Sequence, residues 1–214
     1  MKSLGALPFQ TIKEMVTGGF IFGASVDKIQ PASLDLTLSE EIYRVCSVFL
    51  PRPEETVDSA KSLVCPEPYS LKSSLEVGVT YLIKFNEKFS LPKGIYGYAN
   101  PKSSSGRNDI HVRMLADGIT RFDSVGVKGY KGCLWGLVTP RSFRVKLSPG
   151  DSLLQVRFFN EDTRFNREED LEIPYQKYQF LFSPEGEFID YSNLKLKDND
   201  GSIILTLNLR EDIV

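Results

Sequence analysis

The sequence predicts an all-β fold, a barrel or a sandwich, with one short helix near its start. Apolar residues recur in brief alternating or continuous runs instead of at helical spacing, and turn residues interrupt those runs at close intervals. No helical stretches alternate with the strands, which argues against βαβ units and a parallel sheet. At 214 residues the chain has length for one generous domain, or one domain with an appendage, and not for two of full size.

The helix comes first. Phe9, Ile12, Met15 and Val16 fall on one face, Pro8 suits a first turn and Gly18-Gly19 suits a stop. So short an element is expected to pack as a lid. The period then changes: Leu34, Leu36 and Leu38 alternate in SLDLTLS, and YRVCSVFL, TYLIKF, GIYGYA, HVRML, CLWGLV, FRVKL, LLQVRFF and SIILTLNL follow as strand candidates. Turn signals separate them at Val77-Gly78, Leu91-Pro92-Lys93-Gly94, Lys128-Gly129-Tyr130-Lys131-Gly132 and Ser148-Pro149-Gly150-Asp151. The proline- and charge-rich PRPEETVDSAKSLVCPEP is expected to be a surface loop or excursion. NEDTRFNREED, polar and charged, reads as a connection or an exposed helix start. The expected organisation is therefore a domain over 1–160 and a connecting segment with a C-terminal strand over 161–214. That last strand, SIILTLNL, needs a neighbour: it either pairs back onto the domain or opens a further unit absent from this chain.

Hydrophobic residues are 41% and charged residues 25% of the chain, the balance of a soluble globular protein. Twenty-six basic against 28 acidic residues give a net charge of -2, so no global field exists to hold nucleic acid, and any anion site must be local. No run approaches the 18 or so apolar residues of a membrane helix, and MKSLGALPFQ lacks the apolar run of a secretory signal; a cytoplasmic protein is expected. The three cysteines, Cys46, Cys65 and Cys133, lack CxxC spacing and fit reduced thiols. With His111 as the only histidine, a zinc site is poorly supplied.

The stretch richest in chemistry is Asn100-Pro101-Lys102-Ser103-Ser104-Ser105-Gly106-Arg107, a serine-rich turn directly after a strand. Its hydroxyls, the backbone N–H groups around Gly106 and the forked guanidinium of Arg107 make a cradle for phosphate oxygens. A plain polar surface turn has the same composition.

The string from ANPKSSSGR through LADGITRFDSVGVKGYKGCLWGLVTPRSF to SPGDSLLQVRFF resembles the dCTP deaminase family, and most closely the N-terminal half of its duplicated, two-domain branch. LPFQTIKEMVTGGFI and IQPASLDLTLSEEIYRVCSVFLP extend the resemblance over nearly all of the chain. It implies a β-clip (dUTPase-like) barrel, sites at subunit interfaces, and a deoxycytidine or deoxyuridine nucleotide as ligand. The family's triphosphate-binding turn maps onto Lys102, Ser103, Ser104 and Arg107. The family's catalytic glutamate maps five residues past Gly132, onto Leu137, which can neither take a proton from water nor deliver one to a cytosine ring. Loss of a general acid/base costs about 10²–10⁴ in rate. Asp117 and Asp123 fall outside the matched position and read as structural acids. Zinc-dependent deamination requires H-x-E and P-C-x-x-C, neither of which is present around His111.

Arg141 reads either as a phosphate or subunit contact or as a surface ion-pair partner; Trp135 and Tyr130 either stack on a base or belong to the core or an interface. Gln155 is a candidate buried polar partner. Asp35 opposes the leucines of its strand in phase and is expected to face solvent.

Two functions compete. One is a dCTP deaminase-like protein (dCTP and water to dUTP and ammonia) impaired as an isolated chain. The other is a non-catalytic nucleotide-binding or assembly domain left from a truncated duplicated deaminase. A dUTP pyrophosphatase would need a water-orienting aspartate in its own motif, of which no convincing instance is found. No protein-bound metal is expected, Mg²⁺ arriving with the triphosphate. A homo-oligomer, trimeric or pseudo-trimeric, is expected from the family and from strand edges left open.

Overall fold

The computed structural model of the chain describes residues 5–126, 129–160, 168–194, 196–197 and 202–203. The helix forms as its apolar spacing dictates, as α1 (Phe9–Thr17), with Pro8 just outside it in extended conformation. Gly18 ends it by donating to the Glu14 carbonyl at 2.8 Å, and Gly19 follows with φ +76°. Ile12 and Met15 are buried in the main core. The helix is thus part of the core wall and no detachable lid, because its two largest inward side chains lose their water on folding.

The alternating runs pair into two six-stranded sheets. The first runs β10 (Ser124–Gly126), β8 (Ile95–Pro101), β12 (Leu154–Asn160), β4 (Ser33–Leu36) and β3 (Ile29–Gln30), with β1 (Gly5–Ala6) also paired to β12. The second runs β6 (Glu67–Pro68), β5 (Leu38–Val45), β7 (Thr80–Leu91), β11 (Tyr130–Pro140) and β9 (Ile110–Ala116), with β2 (Ile21–Phe22) on β7. The pairings of both sheets are antiparallel. Phe85 and Phe89 of β7 meet Leu154, Val156 and Phe158 of β12 in one core, the Phe89 and Phe158 rings 5.3 Å apart.

The chain passes from β4 in one sheet to β5 in the other through a single residue, Thr37. Glu87, wholly buried, accepts from the Thr37 N–H at 2.9 Å and from its hydroxyl at 2.7 Å. Asn86 closes the corner, its N–H donating to the Thr37 carbonyl at 2.9 Å and its amide to the Thr37 hydroxyl and the Leu38 carbonyl. Burial pushes the Glu87 carboxyl above its ordinary value, against the pull of the Thr37 donors. Gly23 lets the chain pass here: with φ +78°, a Cβ on it would lie 2.4 Å from the Asn86 carbonyl oxygen.

Three segments differ from their sequence pattern. YRVCSVFL pairs only as far as Val45. FRVKL is reduced to a bridge between Val145 and Leu75, since Arg144 and Lys146 alternate with too little apolar surface to hold a longer strand. PRPEETVDSAKSLVCPEP is more than a surface loop: Thr56 caps a short helix α2 (Val57–Ala60) by accepting from the Ser59 N–H, and a 3₁₀ turn follows over Lys61–Val64. Val57, Ala60 and Val64 are buried.

The chain divides into two compact units, Met1–Glu161 and Asp162–Val214. In the second, α3 of the first unit (Ser103–Arg107) is followed in number by α4 (Glu168–Tyr178), which contains Pro174. Leu171, Tyr175 and Tyr191 form its core with Leu181, Phe188 and Leu194, and the Tyr175 hydroxyl donates to the Ile189 carbonyl at 2.6 Å. Of the expected strand SIILTLNL, Ser202–Ile203 pairs with Leu196–Lys197, and the remainder lies outside the described residues. So does most of NEDTRFNREED.

Candidate functional site

The serine-rich turn is held at the mouth of the first sheet. Strand β8 delivers the chain to Lys102, whose N–H donates to the Leu153 carbonyl at 2.9 Å, and α3 begins one residue later. Ser105 anchors the turn from below: it is buried, and its hydroxyl donates to the same Leu153 carbonyl at 2.8 Å. With Ser105 facing inward, Ser103, Ser104 and Arg107 face water. They line a depression of about 500 Å³ with Lys102, Gln30, Ser33, Asp35, Gln155 and Arg157.

The opposite wall follows from strand alternation. Leu154, Val156 and Phe158 of β12 fill the core, which turns Gln155 and Arg157 outward, and Gln155 lies in register with Asp35 of β4 and Asn100 of β8. The Ser33 hydroxyl donates to the Gln155 side-chain carbonyl at 3.1 Å. Asp35, expected to face solvent, is only 3% exposed. It does oppose the core leucines in phase, but the Lys102 ammonium pairs with its Oδ2 and the Gln30 amide donates to the same oxygen at 3.4 Å, closing over it. Its other oxygen, Oδ1, is buried with no hydrogen-bond partner among the described residues. One cation of the depression is therefore neutralised, while Arg107 and Arg157 remain exposed.

Arg157, Gln30 and Ser33 were not singled out from the sequence. The signal for Arg157 was present: it stands two positions after Gln155 in an alternating strand, so the two share a face. Gln30 and Ser33 join the site only through the pairing of β3 with β4.

Arg141 lies on the other side of the turn. It lines a separate depression of about 550 Å³ with Gly106, Asp109 and the exposed His111, and its N–H donates to the Asp109 carbonyl at 2.9 Å.

Leu137 is placed elsewhere again. Leu134 and Val138 of β11 face the main core, and the intervening Trp135 and Leu137 face the outer side of the second sheet. There Val57 and Val64 of the excursion join Val45, Leu82 and Leu115 to form a second apolar cluster around them. Trp135 is fully buried and Leu137 is 3% exposed. Lys84 and Lys61 stand over the indole ring at 5.0 and 5.6 Å, Lys84 paired with Glu41 at 2.8 Å and Lys61 with Asp58 at 2.6 Å. Tyr130 is buried too, its hydroxyl donating to the Cys133 carbonyl at 2.7 Å while burial and the nearby Asp117 push its pKa up.

Asp117 holds the cover in place, accepting from the Val57 and Cys133 N–H groups at 2.8 Å each. Asp123 accepts from the Met114 N–H at 2.7 Å and pairs with Arg113 at 2.7 Å; burial raises its carboxyl against those two partners. Both are structural acids. Within this chain the serine turn connects β8 of the first sheet to β9 of the second, whereas Leu137 lies in β11 on the covered outer face of the second sheet.

A mostly β-sheet domain of two antiparallel layers, presenting a cationic serine turn at one mouth, is the class that fold and site define. The chain belongs to the dCTP deaminase family: residues 3–162 match the family model of the 2'-deoxycytidine 5'-triphosphate deaminase (DCD) N-terminal domain. The crystal structure of 2'-deoxycytidine 5'-triphosphate deaminase from Agrobacterium tumefaciens is similar at a TM-score of 0.72 and 31% sequence identity, over 83% of this chain and 55% of that one. The chain thus spans about half the length of that relative. An EIAV dUTPase shows a weaker likeness, with a TM-score of 0.34 and 19% identity over 44% of this chain and 72% of that one. A search of curated proteins gave no match. Among the described residues no helix is long and apolar enough to cross a membrane.

Proposed function

We propose that this chain is a nucleotide-binding domain of deoxycytidine triphosphate metabolism that holds dCTP, or its product dUTP, and does not deaminate it unaided. The observation that carries this reading is the split between the open serine turn and the sealed position 137. Ser103, Ser104 and Arg107 offer hydroxyls and a cation to phosphate oxygens, Arg157 faces them across the depression, and Lys102 joins them on exchanging Asp35 for phosphate. Leu137 stands where the family's glutamate is matched, inside an apolar cluster. A nucleotide bound at the turn therefore meets no carboxylate from β11 of its own chain.

Deamination of dCTP needs a group that takes a proton from the attacking water and returns protons to the ring and the departing ammonia. On this reading a second deaminase-like half, on the same or another polypeptide, brings that carboxylate to the turn of this one. Trimeric or pseudo-trimeric association through strand edges, in the β-clip manner, is the corresponding assembly. Mg²⁺ enters with the triphosphate as part of the substrate, and the reading places the protein with the cytoplasmic nucleotide pool.

Incubation of the purified chain with dCTP and Mg²⁺ tests both parts. Uracil nucleotide is not expected to accumulate, whereas calorimetry is expected to show dCTP binding that weakens in Ser104→Ala and Arg107→Ala. Turnover at ordinary enzymatic rates overturns the non-catalytic part. Unchanged affinity in both variants overturns the phosphate cradle.

A further inference from the structure

Two of the three cysteines, remote in sequence, are neighbours in space. Cys46 lies one residue past β5 and Cys65 one residue past the 3₁₀ turn that ends the excursion. The Cys46 N–H donates to the carbonyl of Val64 at 3.0 Å. Such a bond holds the α-carbons of residues 46 and 65 within about 7 Å, the reach of a disulfide. Both thiols are exposed and line one surface depression with Arg44, Glu67 and Thr80. Contact with the Cys65 thiol is the first cause that pushes the Cys46 thiol up, ahead of burial. Cys133 differs, being half-buried against the cluster around Trp135.

We propose that Cys46 and Cys65 form a reversible dithiol–disulfide couple, a modification site that fastens the two ends of the excursion covering Trp135 and Leu137. The oxidant is a low-molecular-weight disulfide of the glutathione class. A thiolate of the pair attacks one sulfur of that disulfide, its S–S bond breaks, and one small thiolate leaves while the other half remains as a mixed disulfide. The second cysteine thiolate attacks the protein-bound sulfur, forms the Cys46–Cys65 bond and expels the second small thiolate. The two cysteines together lose two electrons and two protons, and the small disulfide gains them as two thiols. Because the ends of the segment already meet, the bond closes without moving Val57 or Val64 from the cluster.

The test uses the full chain, equilibrated across a series of reduced-to-oxidised glutathione ratios, quenched by alkylation and digested with trypsin. Cleavage after Lys61 puts Cys46 and Cys65 on separate peptides, Val45–Lys61 (kept whole because Arg52 precedes Pro53) and Ser62–Lys72, which stay together only if a disulfide joins them. At the oxidised end the joined peptides are expected to dominate, with free thiols falling from three to one and dithiothreitol restoring them. The oxidised wild type is expected to melt several degrees above its reduced form, a gain absent from Cys46→Ser and kept in Cys133→Ser. Full alkylation of both peptides at the oxidised end, separate glutathione adducts on each, or a disulfide to Cys133 overturns the proposal.

Discussion

The serine turn and the outer face of the second sheet are built from the same kind of strand and come to opposite ends. At the turn, β12 exposes Gln155 and Arg157, and α3 exposes Ser103, Ser104 and Arg107. On the outer face, β11 shows Trp135 and Leu137 to the excursion, and Val57 and Val64 exclude water from them. The first region keeps its polar groups solvated and available; the second spends its strand face on stability. A strand position can thus be closed to chemistry in two ways, by an apolar side chain and by being covered, and Leu137 is both apolar and covered.

The largest test of that contrast is Leu137→Glu. An unpartnered carboxylate in the second cluster is expected to cost about 3–5 kcal/mol of stability, read by urea denaturation, and to give no dCTP turnover in the isolated chain. Full stability with new turnover breaks the comparison by showing that the face opens. Asp117→Ala sharpens it next. Leaving the Val57 and Cys133 N–H groups without their acceptor is expected to cost about 1–3 kcal/mol for each group that water does not reach, with dCTP affinity at the serine turn unchanged.

Arg107→Ala is the reciprocal experiment. Loss of a charged hydrogen-bond donor is expected to weaken dCTP binding by about 1.5–3 kcal/mol in calorimetry while the melting temperature holds. A large fall in melting temperature would mean that the turn is a structural element after all. The smallest effect lies at the corner where the two sheets join. Burial raises the Glu87 carboxyl in the folded chain, so its contribution to stability is present at low pH and is lost as pH rises through the raised value. Glu87→Gln removes that share of the slope, and an unchanged pH profile would show that Glu87 ionises as freely in the folded chain as in the unfolded one.

Much of this was legible in the sequence because strand alternation is local. TYLIKF, HVRML and CLWGLV fall within strands, GIYGYA falls in β8 apart from Gly94, SLDLTLS forms two strands broken at Thr37, and the cradle residues fall in one depression because they are close in sequence. What escaped depended on partners far along the chain. Asp35 looked solvent-facing because phase tells which side of a sheet a residue takes and not what lies on that side; Lys102, 67 residues on, covers it. Gln30 and Ser33 reach the site only through sheet pairing. The excursion looked like a loop because Val57 and Val64 are few apolar residues in a proline- and charge-rich stretch, and only the outer face of the second sheet gives them a surface to bury.

The single residue between β4 and β5 bears on where this chain tolerates added length. Thr37 spends its N–H, carbonyl and hydroxyl on Glu87 and Asn86, so an inserted residue there displaces every one of those bonds and shifts one sheet against the other. The excursion is the reverse case. Its ends are already held together by the bond from Cys46 to Val64, and doubling a closed loop costs only about 0.6 kcal/mol. New sequence can therefore enter the excursion over the outer face of the second sheet more readily than the joint between the sheets, so the surroundings of position 137 are open to rewriting by insertion where the joint is not.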